Sequence, residues 1–376
     1  MTCKEIIKYL EYWAPKGAAW AKDNPGLQVG SESRELKNIF LCLELTDDAL
    51  IEAVRQKCNF IFTHHPLIFQ PFRKINSDTD RTSRLLEQLI KNDITLYSAH
   101  TNLDFTHQGV SFQLARKLNL TGIRFLRNQE SNQLKLTVFV PHSDLANVSN
   151  AIFAAGGGVI GNYEACSFSS EGYGTFRGNE HSNPATGTAG NFERVAESRL
   201  EVLVDSWKIN SVVSSMLKVH PYEQPAYDIY PLNSPNANYG FGAIGTLTNP
   251  LSKDEFLSLV SESLGTQCLK YSGGGSTEHI SRVAVCGGSG SDLLDAAVAA
   301  GADAFVTADI KYHTFFDALD SGLLLIDAGH YETEVVVLDE VKRRLEELTG
   351  SHDPEIKVYI YNDTTNPVKC FNKFKE

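Results

Sequence analysis

Two stretches of this chain, residues 38–104 and 282–361, alternate short apolar runs with amphipathic ones. No other feature restricts the fold as strongly. In the first stretch Asn38–Leu45 reads as a largely apolar strand, and Thr46 or Asp47 caps a helix carrying Ala49, Leu50, Ala53 and Val54. Asn59–Thr63 is the next strand, stopped at His64-His65-Pro66 because proline cannot donate to a sheet ladder. A second helix carries Leu85, Leu86, Leu89 and Ile90 on one face. Ile94–Ala99 follows as a strand and runs into His100-Thr101-Asn102-Leu103-Asp104. In the second stretch the strands are Arg282–Cys286, Ala304–Thr307 and Leu323–Ile326. One helix there carries Leu293, Leu294, Ala297 and Val298, and a longer one has the stripe Val335, Leu338, Val341 and Leu345. Apolar strands separated by amphipathic helices indicate an α/β fold around a buried, largely parallel sheet.

Between these stretches the rhythm stops. Leu134–Val140 places apolar residues at alternate positions, which fits a sheet with one wet face. Ser143–Ala155 reads as a helix, and residues 161–198 are rich in Gly, Ser, Asn and Thr. Arg199–Asp205, Ser206–Val219 and Ala226–Tyr230 then read as strand, helix and strand. Two such strand-and-helix units fit a small α+β domain of ferredoxin-like type. The expected organisation is a split α/β domain, residues 1–127 and 241–376, with residues 128–240 inserted into it.

The formal charge of −12 argues against a surface built for nucleic-acid backbones or anionic membranes. It leaves room for a small anionic substrate, since a few local cations or metals outweigh the global charge. The seven cysteines are widely spaced and form no C-x-x-C, which suits reduced thiols rather than disulfides or a zinc knuckle. Met1–Trp13 lacks the apolar core of a signal peptide, and no apolar run approaches membrane-spanning length. It reads instead as a helix capped by Thr2, with Ile6, Ile7 and Leu10 on one face. These observations point to a cytoplasmic protein.

Ligand sites in open α/β sheets form at the carboxyl ends of strands, and His64-His65 sits at such an end. Alone, the pair reads as one core and one exposed histidine. Asp104 follows the next strand, and alone it reads as a helix cap or turn aspartate. His330 and Glu334 stand four residues apart on an expected helix, with Cβ atoms about 5–6 Å from one another. Alone they could be a surface pair. Together, these groups converge on one sheet edge from two distant parts of the chain. Three histidines and two carboxylates are too many for one tetrahedral zinc. Two metal ions sharing a carboxylate would use all five, and Glu334 is the candidate bridge. Imidazole with carboxylate suits zinc, iron or manganese. Nearby, Asp309 is placed to orient a ligand histidine, Lys311 to meet an anionic substrate, and His100 to line the site. Gly287-Gly288-Ser289-Gly290 reads as a tight structural turn rather than a phosphate cradle.

Several motifs together resemble the family of Nif-three-like dinuclear metal-centre proteins, also called GTP cyclohydrolase I type 2 homologues. They are Thr63-His64-His65-Pro66-Leu67, Ser98-Ala99-His100-Thr101-Asn102-Leu103-Asp104, the glycine turn at 287–290, Thr307 to His313, and Asp327 to Glu334. Asp23-Asn24-Pro25-Gly26-Leu27-Gln28-Val29-Gly30 adds a match near the start. The resemblance implies metals on His64, His65, Asp104, His330 and Glu334, and a ring-shaped homohexamer. It also implies a middle insertion of PII or CutA type, of which His220-Pro221-Tyr222-Glu223-Gln224-Pro225-Ala226-Tyr227-Asp228 looks like part.

The expected function is a two-metal hydrolase with Glu334 at its catalytic centre. GTP ring opening is the reaction implied by resemblance, and phosphoester cleavage uses the same apparatus. The competing expectation is a non-catalytic metal-binding protein whose insertion senses a ligand or docks a partner.

Overall fold

The structure is a computed structural model and describes residues 1–370 apart from 267 and 273–278. The chain is mixed α/β. It divides into two compact units, Met1–Arg127 with Tyr239–Glu376, and Asn128–Asn238.

The first unit holds two sheets. One has five strands in the spatial order Gly26–Val29, Thr95–Ser98, Phe60–Thr63, Ile39–Cys42 and Val358–Ile360. The last four are mutually parallel and Gly26–Val29 is antiparallel. Ile39–Cys42, Phe60–Thr63 and Thr95–Ser98 are buried along their whole length, because helices cover both faces. On one face Leu41, Phe60, Phe62 and Tyr97 pack with Ile6, Leu10, Val337, Val341 and Leu345. On the other, Phe40, Ile61 and Leu96 pack with Ala49, Leu50, Ala53, Leu85, Leu86 and Leu89. Neighbouring strand residues thus serve two different cores, which is why the sequence shows continuous apolar runs rather than alternation.

The helices start where side chains satisfy their first amides. Thr46 Oγ1 accepts from Ala49 N–H at 3.1 Å and the Asp80 carboxylate accepts from Ser83 N–H at 2.7 Å. At the first helix, Cys3–Trp13, Thr2 donates both its N–H and its hydroxyl to the Glu5 carboxylate.

The other sheet has six strands in the order Lys270–Tyr271, Leu324–Asp327, Ala304–Ala308, Ile280–Ser289, Asn236–Leu251 and Thr121–Gln129. Ile280–Ser289, Ala304–Ala308 and Leu324–Asp327 are parallel, with antiparallel neighbours on both sides. The expected single, largely parallel sheet is therefore corrected to two mixed sheets. Each half of the chain carries enough helix to cover its own strands, and Val358–Ile360 returns to complete the first sheet. Three residues expected on buried helix faces, Val54, Ile90 and Val298, are instead exposed at the edges of those faces.

The second unit has a four-stranded antiparallel sheet in the order Ser167–Arg177, Phe192–Asp205, Gln133–Pro141 and Tyr227–Pro231. With helices Leu145–Ala154 and Ile209–Val219 the element order is β-α-β-β-α-β. Leu136, Val138, Val140, Leu200, Val202 and Val204 face Val148, Ile152, Val212 and Met216. The alternating pattern of the sequence is this one-faced core. The expected strand Arg199–Asp205 is the end of the longer Phe192–Asp205, whereas Ser167–Arg177 and residues 192–198 run through the stretch noted only for its Gly, Ser, Asn and Thr. Many of their side chains are exposed, so burial left no pattern to read.

Candidate metal centre

The site lies in the first unit, where the carboxyl ends of strands from both sheets meet. His64 and His65 follow the strand Phe60–Thr63, and both of their amides donate to Leu43 O at 3.0 Å. That shared acceptor bends the chain out of strand geometry and turns two consecutive histidines to one side. Thr63 fixes the bend, with its Oγ1 donating to His65 O at 2.9 Å and lying 2.7 Å from Ser98 Oγ. His64 is fully buried, and its Nδ1 lies 2.8 Å from Ala99 O. A carbonyl only accepts, so Nδ1 carries a proton and Nε2 is the ring nitrogen turned to the site.

Asp104 ends the short helix Thr101–Asp104 that follows Thr95–Ser98, and its Oδ1 is 3.5 Å from His64 Nε2. His330 and Glu334 span the short helix His330–Glu334 just beyond Leu324–Asp327. Glu334 is the meeting point. Its Oε1 is 3.1 Å from His330 Nε2 and 3.8 Å from His64 Nε2, and its Oε2 is 3.0 Å from His65 Nε2. The structure thus brings together all five residues singled out in the sequence.

Donor atoms of His65, His330 and Glu334 lie within 4.8 Å of one another, as do those of His64, His65 and His100. Three buried polar atoms at the centre, His64 Nε2, Asp104 Oδ1 and Glu334 Oε2, make no properly aligned hydrogen bond. Unsatisfied buried polar atoms are costly, and a cluster of them aimed at one point fits a cation. Nitrogen and oxygen donors of this kind suit zinc, iron or manganese.

The charges are mutually dependent. Burial opposes ionisation of Glu334, but His64, His330 and His65 outweigh it and hold its pKa well below the usual range. Burial opposes protonation of His65, yet Glu334 and Glu44 lift its pKa to about 10. Glu334 first, with burial working against it and Asp309 assisting, lifts His330 to about 9. Burial raises Asp104 to about 6 despite the neighbouring histidines.

The surroundings explain several other motifs. His330 Nδ1 is 2.6 Å from Asp309 Oδ2, the orienting contact anticipated for Asp309. Gly288 has a φ of +62°, and a Cβ on it would stand 2.2 Å from Glu334 Oε1. Instead of the expected tight turn these glycines end a strand, and the missing side chain lets backbone press against the central carboxylate. Gly287 and Gly288 belong to the strand Ile280–Ser289, and Thr307 Oγ1 donates to Gly288 O at 2.9 Å. Lys311 and His313 are exposed at the start of the helix Tyr312–Ser321.

Two residues escaped the sequence reading as parts of the site. Glu44, after the strand Ile39–Cys42, places Oε2 3.8 Å from His65 Nδ1. Asp23 Oδ1 is 2.8 Å from His100 Nδ1, and its Oδ2 accepts from Thr101 N–H at 3.0 Å and from Thr101 Oγ1 at 2.5 Å. Position just past a parallel strand was a usable signal for Glu44. Asp23 sits in an N-terminal loop with no such signal.

A model of the Duf34/NIF3 (NGG1p interacting factor 3) family matches residues 1–367. The chain is 38% identical over 363 residues to the GTP cyclohydrolase 1 type 2 homolog of Halalkalibacterium halodurans, covering 96% of this chain and 97% of that protein. It is 35% identical over 365 residues to the protein of the same name from Bacillus subtilis, covering 97% of each. Among solved structures, a Bacillus cereus protein related to NIF3 matches with a TM-score of 0.83 at 34% identity over 99% of both chains. No helix among the described residues is long and apolar enough to cross a membrane.

Proposed function

Because this chain belongs to the Duf34/NIF3 family, we propose that it is a metal-dependent hydrolase with a dinuclear centre on His64, His65, Asp104, His330 and Glu334. The observation that carries this reading is the group of buried atoms without an aligned hydrogen bond, His64 Nε2, Asp104 Oδ1 and Glu334 Oε2, at the point where five donors converge. Two divalent ions bound there, zinc, iron or manganese, supply Lewis acidity for activating water and for stabilising charge that develops on the substrate. Glu334 offers two oxygens to histidines on either side and would be the carboxylate shared between the ions and the catalytic one. The Ala99 carbonyl fixes the His64 ring and Asp309 fixes the His330 ring, so both are oriented before substrate arrives. The names borne by the two relatives favour GTP, with opening of its imidazole ring, as the first substrate to try. A phosphoester is the second. The same reading makes the protein a cytoplasmic homohexamer, with Asn128–Asn238 as an inserted domain of PII or CutA type.

The test is elemental analysis of the purified protein beside His65→Ala and Glu334→Gln. About two metals per chain, depleted in both variants, with turnover of GTP or a phosphoester that Glu334→Gln abolishes, is the expected result. A metal-free wild type after reconstitution, or full activity without metal, would overturn it.

A second reading is a metal-handling protein without turnover, whose middle unit senses a ligand. It is supported by the separate core of that unit. It predicts metal binding with no turnover of any nucleotide.

A further inference from the structure

We propose that the second unit contains a binding site for a small organic cation, an ammonium or amidinium group on an apolar body, unrelated to the metal centre. A cavity of about 470 Å³ lies at the end of the long strand pair, walled by the strand Ser167–Arg177 and by the segments around Pro184 and Tyr222. That is the size of a small-molecule pocket. Aromatic residues line it, with Phe139, Phe176 and Tyr222 among them.

The cavity's distinguishing group is Glu197, which is only 8% exposed and makes no ion pair among the described residues. Its Oε1 accepts from the Tyr222 hydroxyl at 2.7 Å. A buried carboxylate with a single neutral partner is expensive, and a cation in the cavity would relieve it.

The surroundings hold that carboxylate in place. Tyr222 N–H donates to His220 Nδ1 at 3.1 Å, and His220 Nε2 lies 3.1 Å from Phe139 O. The imidazole is thus a neutral spacer that donates from Nε2 and accepts at Nδ1, tying Tyr222 to the sheet. Gly174 completes the seat, since a Cβ on it would stand 2.1 Å from Glu197 Oε2. The absent side chain is the reason the carboxylate can lie against this strand.

Two further charges line the cavity, one of each sign. Glu223 also lines the cavity and accepts from Asn183 N–H at 3.1 Å. Arg177 is the single basic lining residue, and it is exposed at the end of its strand, whereas Glu197 is buried. Rings flanking a desolvated carboxylate attract a cation through their electron-rich faces.

The experiment is calorimetric titration of the full chain with benzamidine and phenethylamine, and with benzamide and benzoate as neutral and anionic matches. Circular dichroism checks the fold of each variant. One or both cations should bind, and benzamide and benzoate should not. Glu197→Gln should weaken cation binding about tenfold or more, the worth of a hydrogen bond to a charged group. Ala185→Trp, an exposed lining position whose replacement removes no core contact, should block binding by filling the cavity. Failure of both cations to bind, equal binding of benzamide, or binding that survives both substitutions would overturn the proposal.

Discussion

His330 Nδ1 and Asp309 Oδ2 stand 2.6 Å apart, and Asp309 reaches that position with a φ of +54°. A left-handed backbone is uncommon outside glycine, but aspartate and asparagine tolerate it best. Asp309→Asn should therefore keep the backbone and lose only the charge that fixes and enriches the His330 ring. Partners of this kind are typically worth about 10–100-fold in metal affinity. Chelator competition on the variant should show a loss in that range with an unchanged melting temperature of the metal-free protein. Equal affinity would reduce the contact to a surface ion pair.

Gly288→Ala should harm the same centre from the opposite side. The new Cβ would overlap Glu334 Oε1 at 2.2 Å, on a residue whose φ of +62° already disfavours a side chain. Both effects are steric, and together they should cost more than the 1 kcal/mol or so expected of the backbone conformation alone. Metal content should fall and the melting temperature should drop. Gly350→Ala, inside the helix Val337–His352 where a Cβ would meet nothing within 4 Å, is the control: metal content should stay unchanged and the melting temperature should hold or rise, since alanine favours a helix over glycine.

The five central residues were readable before the structure because each follows a strand whose apolar run is unmistakable. The end of a buried parallel strand is a position that sequence can locate. Glu44 met the same condition, yet it precedes a helix cap at Thr46 and was absorbed into the strand Asn38–Leu45. Asp23 was beyond reach as a site residue, because its contact with His100 spans 77 residues and no periodicity links them. The division of strands between two sheets was equally hidden. Burial on both faces gives the same apolar run in either sheet, so pattern alone cannot assign partners. In the second unit the strand Ser167–Arg177 and the first half of Phe192–Asp205 carry exposed Phe168, Tyr173 and Phe192, so they lacked the alternation that marks the neighbouring Gln133–Pro141 and the expected strand Arg199–Asp205.

The exposed edge of one helix gives a direct contrast with the core beneath the site. Phe62 is fully buried two residues before His64, whereas Ile90 is 62% exposed. Phe62→Ala should cost about 3–5 kcal/mol by denaturant unfolding, from lost burial and the cavity left behind. Ile90→Ala should stay within about 0.5 kcal/mol, as surface substitutions do. A large loss at Ile90 would mean that its face is covered in solution by something other than this chain.

Acid should unfold the metal-free protein partly through Asp23. Its carboxylate is buried, which by itself would raise the pKa, but the contacts with His100 and Thr101 prevail and bring it down to about 2 from an ordinary 3.8. A depressed carboxylate pKa means that the unfolded chain binds the proton more readily. The stabilisation is therefore fully present above about pH 4 and is lost as pH falls through about 2. A shift of this size corresponds to about 2 kcal/mol. Asp23→Asn should destabilise the protein at pH 7 by that order and flatten the dependence of unfolding free energy on pH between about 4 and 2. Urea unfolding at a series of pH values measures both. If the variant keeps the slope of the wild type in that window, the acid sensitivity belongs to other carboxylates and the Asp23–His100 contact contributes little to the fold.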